Sequence, residues 1–133
     1  MAIARLLDAA STGRPFPRRG DGSQQRDLTH IDDVVRATLA ALDAPLVPGT
    51  VINVGSGLPV ALRDVIVEIE RQTGRVIPIG DETMPPGDPL RTAADRSRAG
   101  ALLGWRPRVD LAMGIADQIA HHPSFGTVTE TVA

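Results

Sequence analysis

Residues 20–35 read GDGSQQRDLTHIDDVV, a glycine-rich turn followed by a short extended stretch and the start of a helix. Arg26 begins the extended stretch, which we expect to run to Ile31. Two further arginines, Arg18 and Arg19, lie just before the turn. Because guanidinium groups bind phosphates in a bidentate manner, the loop is a candidate anion site; a solvated arginine loop is the alternative.

The composition of the chain excludes several classes of mechanism. Its 133 residues include 14 basic and 16 acidic side chains, for a net charge of -2, and every basic residue is arginine. Because the chain has no Cys, it can form no disulfide, no thiolate nucleophile and no Cys-ligated zinc site. The adjacent residues His121 and His122 lack a third ligand nearby, so no metal site is expected there either. Without Lys or Tyr there is no Schiff base, Walker lysine or Tyr-Lys proton relay. The near-neutral charge argues against a nucleic-acid partner.

Length and a hydrophobic content of 42% fit one folded unit. We expect this unit over residues 1–123 and a flexible tail over 124–133. The chain has no apolar run long enough to cross a bilayer and no signal-peptide pattern at its start, so we predict a cytoplasmic protein without a membrane partner.

Apolar residues at helical spacing predict five helices. These helices are expected over residues 3–12 before Gly13, from Asp32 to residue 44, over 62–73 before Gly74, from Asp95 to residue 103 before Gly104, and from Asp110 to residue 122. Asp32, Asp95 and Asp110 are the predicted N-caps. The predicted apolar face of the second helix consists of Val34, Val35, Thr38, Leu39, Ala41 and Leu42.

Short β-branched runs predict a buried strand at Thr50–Val54 and an edge strand at Val76–Ile79. The helix between them favours a parallel crossover. Residues 14–25 and 80–89 are rich in proline or glycine and are predicted to lack lasting regular structure. The predicted fold is a small α/β unit of about five helices and two or three short strands.

The stretch at residues 20–35 resembles the opening of the substrate-binding lobe in the NAD-dependent epimerase/dehydratase family. Members of this family are extended short-chain dehydrogenases that act on nucleotide sugars, such as UDP-glucose 4-epimerase. Further pieces that resemble the family follow in order: VINVGSG at 51–57, the helix and glycine at 62–74, PGD at 86–88, and AD followed by LLGWRP within 94–107. The resemblance extends over roughly residues 1–122 and implies the C-terminal lobe of such an enzyme, without the Rossmann lobe.

This resemblance implies roles for residues on both sides of the turn. Arg26 would contact the diphosphate of a nucleotide sugar, the possible ligand. Pro17, Arg18 and Arg19 would face the nucleotide base.

The resemblance also implies that residues 85–88 close over the nucleotide. Gly87 and Asp88 match the family segment, and Asp88 would hold the ribose hydroxyls. Pro85 stands where the family has a second phosphate-binding arginine, and Arg91 is the candidate replacement.

The glycine motif with which the family binds NAD, and its catalytic Tyr and Lys, are absent from this chain. We therefore expect no catalytic residue and no cofactor in this chain, NAD being the cofactor of the intact family. The leading hypothesis is a truncated homologue that retains the substrate lobe and is non-catalytic alone. The alternatives are a non-enzymatic interaction or regulatory module that has lost nucleotide-sugar binding, and a non-functional gene remnant.

In the family this lobe packs against the cofactor lobe, so an apolar docking face is expected here. Such a face favours self-association or a partner that supplies the missing lobe. We expect it on the first helix, at Ile3, Leu6 and Leu7, and on the strand Val51–Val54.

Overall fold

The computed structural model describes residues 2–126, which form five helices and four short strands. In chain order the elements are α1 (Ala2–Thr12), β1 (Phe16–Arg19), β2 (Gln25–Arg26), α2 (Ile31–Asp43), β3 (Val60–Ala61), α3 (Leu62–Thr73), β4 (Ile79–Glu82), α4 (Ser97–Leu103) and α5 (Leu111–Ala120). The predicted α/β class and the five helices are confirmed.

Most helix ends follow their local signals. Gly13, Gly74 and Gly104 end α1, α3 and α4 with φ angles of 73°, 67° and 60°, a left-handed conformation that glycine adopts without a Cβ penalty. The Asp110 carboxylate accepts a hydrogen bond from the Met113 N–H at 2.8 Å, so Asp110 caps α5 as predicted.

Two predicted caps are wrong. His30 caps α2 because its Nδ1 accepts the N–H of Asp32, which puts Asp32 inside the first turn. The Asp95 carboxylate accepts the N–H of Ser97 at 2.9 Å, but Arg96 occupies the N-cap position of α4.

The strands pair in a pattern that differs from the prediction. β1 runs parallel to β4, from Phe16 beside Ile79 to Arg19 beside Glu82, and β2 pairs antiparallel with β3. β1 lies in a segment predicted to be irregular. β4 shares only Ile79 with the strand predicted at Val76–Ile79, and its other residues lie in the predicted loop. The predicted parallel crossover between the two predicted strands is wrong, because the strand that pairs with β4 is β1. The strand predicted at Thr50–Val54 is wrong: none of the described residues lies alongside this segment as a partner strand.

The main core lies between α1, α3 and α5. Its central side chains, Leu6, Leu7, Ile69 and Ile115, are at most 1% exposed. A second cluster of Ala37, Ala99 and Trp105 joins α2 to α4. Trp105, which directly follows Gly104, is thus buried in the core.

A buried carboxylate holds the second cluster in place. Asp33 is 1% exposed, and its oxygens accept the N–H groups of Arg108 at 3.0 Å and Val109 at 3.1 Å, as well as a guanidinium N–H of Arg36. Burial alone would raise the pKa of Asp33, but these hydrogen bonds outweigh it and lower the pKa. Trp105 Nε1 also donates to the Asp33 carbonyl oxygen at 3.0 Å.

The predicted apolar face of α2 points to the outside. Ile31, Val34, Val35, Leu39 and Leu42 are between 37% and 75% exposed, whereas the buried residues of this helix are Asp33 and Ala37. We call these five exposed residues the α2 stripe.

The predicted docking face on the first helix needs correction as well. Leu6 and Leu7 are fully buried in the main core and cannot be reached by a partner. Val51 is 70% exposed, while Ile52 and Val54 pack against the second cluster. Five of the thirteen exposed large hydrophobic side chains among the described residues form the α2 stripe, and Val51 is another of the thirteen.

Only the first part of the predicted tail is described. Phe125 packs against the main core, where the Arg75 guanidinium lies 4.9 Å from its ring centroid. Residues 127–133 lie outside the described residues. None of the helices within residues 2–126 has the length and hydrophobicity to cross a membrane.

Candidate functional site

A cavity of about 360 Å³ opens where α1, β1, β2 and α3 meet. This volume lies in the range typical of small-molecule sites. Its apolar wall includes Ile3, Phe16, Pro17, Leu28, Val60, Leu62 and Val65, and its charged residues are Arg5, Arg19, Arg26, Glu82 and Asp88. A wall that combines apolar side chains with five charged ones suits a ligand that has both apolar and charged parts.

The glycine-rich turn is tied to the elements on both sides of it. Gln24 is 8% exposed, and its Nε2 donates to the Arg19 carbonyl at the end of β1. The carbonyls of Gly22 and Gln24 accept the N–H groups of Arg63 and Leu62 at the start of α3. These backbone bonds stand in for a side-chain cap, which α3 lacks.

Arg26 is fixed at the edge of the cavity by three acceptors. Its Nη2 donates to Asp88 Oδ1 at 2.8 Å, and its Nη1 donates to the carbonyls of Pro89 at 2.7 Å and Gln25 at 2.9 Å. The Arg26 side chain remains 35% exposed. The Asp88 carboxylate therefore already lies against the guanidinium that is expected to bind an anion.

Asp27 anchors the backbone next to Arg26. Oδ1 accepts the N–H and the hydroxyl of Ser56, and Oδ2 accepts the N–H groups of Gly57 and Ala94, all within 3.0 Å. Burial alone would raise the pKa of Asp27, but these four bonds lower it. A side chain at Gly55 would collide with Ala94, so the glycine allows the close approach of these segments. Asp27 thereby joins three separate parts of the chain directly behind Arg26.

Four of the seven predicted site residues line this cavity, and three do not. Arg26, Asp88, Pro17 and Arg19 belong to its wall.

The other three predicted residues lie outside the wall. Arg18 points to Asp81 on β4, with Nη2 2.7 Å from Oδ1. Arg91 is exposed and pairs through its backbone with Gln25, and Gly87 is exposed in the loop beside Asp88.

Arg5 and Glu82 were missed as site residues. Glu82 reaches the cavity because β4 runs beside β1, where its Oε2 lies 3.7 Å from Arg19 Nε. Arg5 reaches it from α1, and its guanidinium lies 5.6 Å from the Phe16 ring centroid. Arg5 is the basic residue of the predicted first helix, and this was the sequence feature that could have identified it. The local sequence does not indicate that its side chain points toward the cavity.

A second cavity of about 270 Å³ lies between the start of α2 and α5. His30 borders it, with Nε2 3.2 Å from Asp117 Oδ2. Since His30 Nδ1 accepts the N–H of Asp32, the hydrogen bonds assign the ring proton to Nε2. His30 therefore acts as a helix cap. Within residues 2–126, no three His, Asp or Glu side chains are grouped so that they could hold a metal ion.

Comparison with known proteins finds relatives over most of the chain. The family model described as NAD dependent epimerase/dehydratase family matches residues 1–55. UDP-glucose 4-epimerase of Mycolicibacterium smegmatis is 38% identical over 119 residues, which are 88% of this chain and 37% of that protein. An uncharacterized UDP-glucose epimerase of Bacillus subtilis is 33% identical over 91% of this chain and 38% of its own length.

A solved structure extends the likeness to the fold. UDP-glucuronic acid 4-epimerase of Bacillus cereus, in complex with UDP-glucuronic acid and NAD, matches with a TM-score of 0.82 and 37% identity. The match covers 87% of this chain and 37% of that one. This chain thus spans between 37% and 38% of the length of these three relatives.

Proposed function

This chain belongs to the NAD dependent epimerase/dehydratase family and corresponds to the C-terminal part of its members, and from this we propose that its cavity binds a nucleotide sugar. The observation that carries the proposal is Arg26, held at the cavity edge by fixed acceptors and backed by Asp27. Arg26 would bind the diphosphate and Asp88 the ribose hydroxyls. Pro17 and Arg19, at the end formed by β1, would face the base.

We also propose that this chain does not catalyse epimerisation alone. A Tyr-Lys proton relay has no source in a sequence without Tyr or Lys. The described residues also do not fit NAD. The turn of Gly55, Ser56 and Gly57 would be the natural phosphate cradle, but the Asp27 carboxylate takes up the N–H groups of Ser56 and Gly57. Cofactor chemistry would therefore come from elsewhere.

Replacing Arg26 with alanine tests the binding proposal. UDP is the probe, because the solved relative holds a UDP-sugar. We expect UDP to shift the amide resonances around Arg26 and Asp88, and the Arg26→Ala variant to bind about tenfold more weakly or worse, since charge-assisted hydrogen bonds contribute about 1.5–3 kcal/mol. NMR titration of the 133-residue chain measures both.

The matched control is Arg14→Ala, which removes one exposed arginine away from the cavity. This variant should bind UDP like the wild type. Unchanged spectra of the wild-type chain up to millimolar UDP, or equal affinities for the Arg26→Ala and wild-type chains, would contradict the proposal.

The α2 stripe supports a second function, docking to a cofactor-binding partner. Five apolar side chains lie along one face of α2 and are at least 37% exposed. The solved relative contains NAD, and about three fifths of its chain has no counterpart here. We propose that a NAD-binding unit like the remainder of that relative covers the stripe, and that copies of this chain associate through it when that unit is absent.

Charging the α2 stripe tests this docking. We expect the 133-residue chain to self-associate with rising concentration in sedimentation velocity, and the Leu39→Glu, Leu42→Glu double variant to remain a monomer, since burying unpaired carboxylates is unfavourable. Val67→Glu is the control, because Val67 is 62% exposed on α3, outside the stripe. A wild-type chain that stays monomeric at high concentration would argue against the stripe as an interface.

A further inference from the structure

We propose that Arg5 is a second phosphate-binding residue of the cavity and makes it selective for nucleoside diphosphates over nucleosides. The inference rests on the proposed function and adds a residue to the same site. Arg5 would bind the diphosphate together with Arg26.

The position of Arg5 is set by the core beneath it. α1 is anchored by Leu6 and Leu7, which are 0% and 1% exposed, so the backbone on which Arg5 stands is fixed. Its guanidinium lies 5.6 Å from the centroid of the Phe16 ring, at a cation–π distance. Both Arg5 and Phe16 line the cavity. The aromatic ring therefore holds the cation at the cavity wall and leaves its N–H donors available to a ligand.

The charges of the cavity wall single out Arg5. The wall has three arginines and two carboxylates. Arg26 pairs with Asp88 at 2.8 Å, and Arg19 lies 3.7 Å from Glu82. Arg5 has no carboxylate within ion-pair distance among residues 2–126. Arg5 thus carries the one positive charge of the cavity wall that is not paired with a carboxylate of the described residues. An anion could bind to Arg5 without first displacing a carboxylate.

Two cationic side chains bind a diphosphate more strongly than one does. A nucleotide sugar carries two phosphate charges, and Arg26 is already partly neutralised by Asp88. The resemblance left Arg91 as the candidate for the second cation in place of Pro85, but Arg91 is exposed outside the cavity wall. Arg5 provides the second guanidinium from a different element, and bidentate arginine contacts suit phosphate oxygens.

The experiment compares UDP and uridine on three single variants of the 133-residue chain. We expect Arg5→Ala to raise the dissociation constant for UDP about tenfold, as loss of a charge-assisted contact does, and to leave the weak affinity for uridine unchanged. Arg5→Lys should retain most of the UDP affinity, because it keeps the charge. Arg14→Ala should behave as the wild type. A thermal melt of each variant checks that the fold is intact, and Arg5 is exposed, so little loss is expected.

The outcomes separate this inference from the proposed function. If Arg26→Ala weakens UDP binding and Arg5→Ala does not, Arg5 is no phosphate ligand and only this inference is overturned. If Arg5→Ala weakens the binding of uridine as much as the binding of UDP, Arg5 shapes the cavity and does not bind the phosphates. That result also overturns this inference. If the wild-type chain does not bind UDP up to millimolar concentration, the proposed function fails and this inference with it.

Discussion

Replacing Asp33 with alanine is expected to lower the free energy of unfolding by about 3–5 kcal/mol, the cost of breaking a buried charged network by removing one partner. The Asp33 carboxylate is 1% exposed and accepts the N–H groups of Arg108 and Val109, together with the Arg36 guanidinium. Alanine leaves these part-buried donors without their shared acceptor at the point where the Asp33 side chain itself is buried. For a single domain whose total stability is about 5–15 kcal/mol, such a loss is a large part of the whole.

Urea denaturation of the wild-type and variant chains measures this loss. The control is Asp32→Ala, since the neighbouring Asp32 side chain is 74% exposed and should cost less than about 1 kcal/mol. Asp33→Asn keeps one acceptor oxygen but turns an amide N–H₂ toward N–H donors, so it should recover only part of the loss. An Asp33→Ala variant as stable as Asp32→Ala would refute the role given to the buried carboxylate.

Helices were predictable from sequence because their signals are local. Gly74 ends α3 and Asp110 caps α5 through atoms within a few residues, so spacing and cap chemistry suffice. The strands were not predictable in the same way. Val51–Val54 has the composition of a strand but no partner strand within the described chain, whereas Phe16–Arg19 becomes a strand only because Ile79–Glu82 lies beside it. Strand formation thus depends on a neighbour that is distant in sequence.

The periodicity of α2 identified an apolar stripe but not the direction in which it points. Asp33 is a charged residue outside the predicted apolar face, yet it lies on the buried side because Arg108 and Val109 supply donors there. Local rules assign a buried face to apolar residues and cannot anticipate donors from a segment more than 70 residues away. The exposed stripe is consistent with the proposed docking, which sequence periodicity alone could not distinguish from an ordinary core face.

The predicted site residues that line the cavity belong to sequence motifs or lie next to one. Arg26 and Asp88 were named from their motifs, and both line the cavity. Arg91 was named as the replacement for the family arginine at the position of Pro85, but its exposed position beside Gln25 is outside the cavity wall. Arg5 carries no motif, and its place depends on the packing of α1 against β1. Charge pairing across the cavity is a property of the fold, and it is this pairing that distinguishes Arg5 from the other arginines.

Replacing Asp27 with alanine is expected to weaken both folding and UDP binding, because Asp27 fixes the backbone from which Arg26 projects. Its carboxylate accepts four hydrogen bonds from Ser56, Gly57 and Ala94. Removing these acceptors should cost about 2–4 kcal/mol of unfolding free energy, since three of the four donors are part-buried backbone N–H groups, two in the turn at Ser56 and Gly57 and one at Ala94. The loosened segment would let Arg26 leave its place at the cavity edge, so the dissociation constant for UDP should rise about tenfold or more.

Two further variants separate positioning from stability. Ser56→Ala removes the hydroxyl that donates to Asp27 and accepts the N–H of Leu58, but it leaves three of the four donors to Asp27 in place. It should cost about 1 kcal/mol without changing UDP affinity. Asp27→Asn retains one oxygen, so two of the four bonds can persist, and its UDP affinity should lie between those of the wild type and Asp27→Ala. UDP titrations at a temperature where every variant is fully folded test this order. If Asp27→Ala then bound UDP as tightly as the wild type, Asp27 would serve stability alone, because Arg26 would keep its position without the anchor.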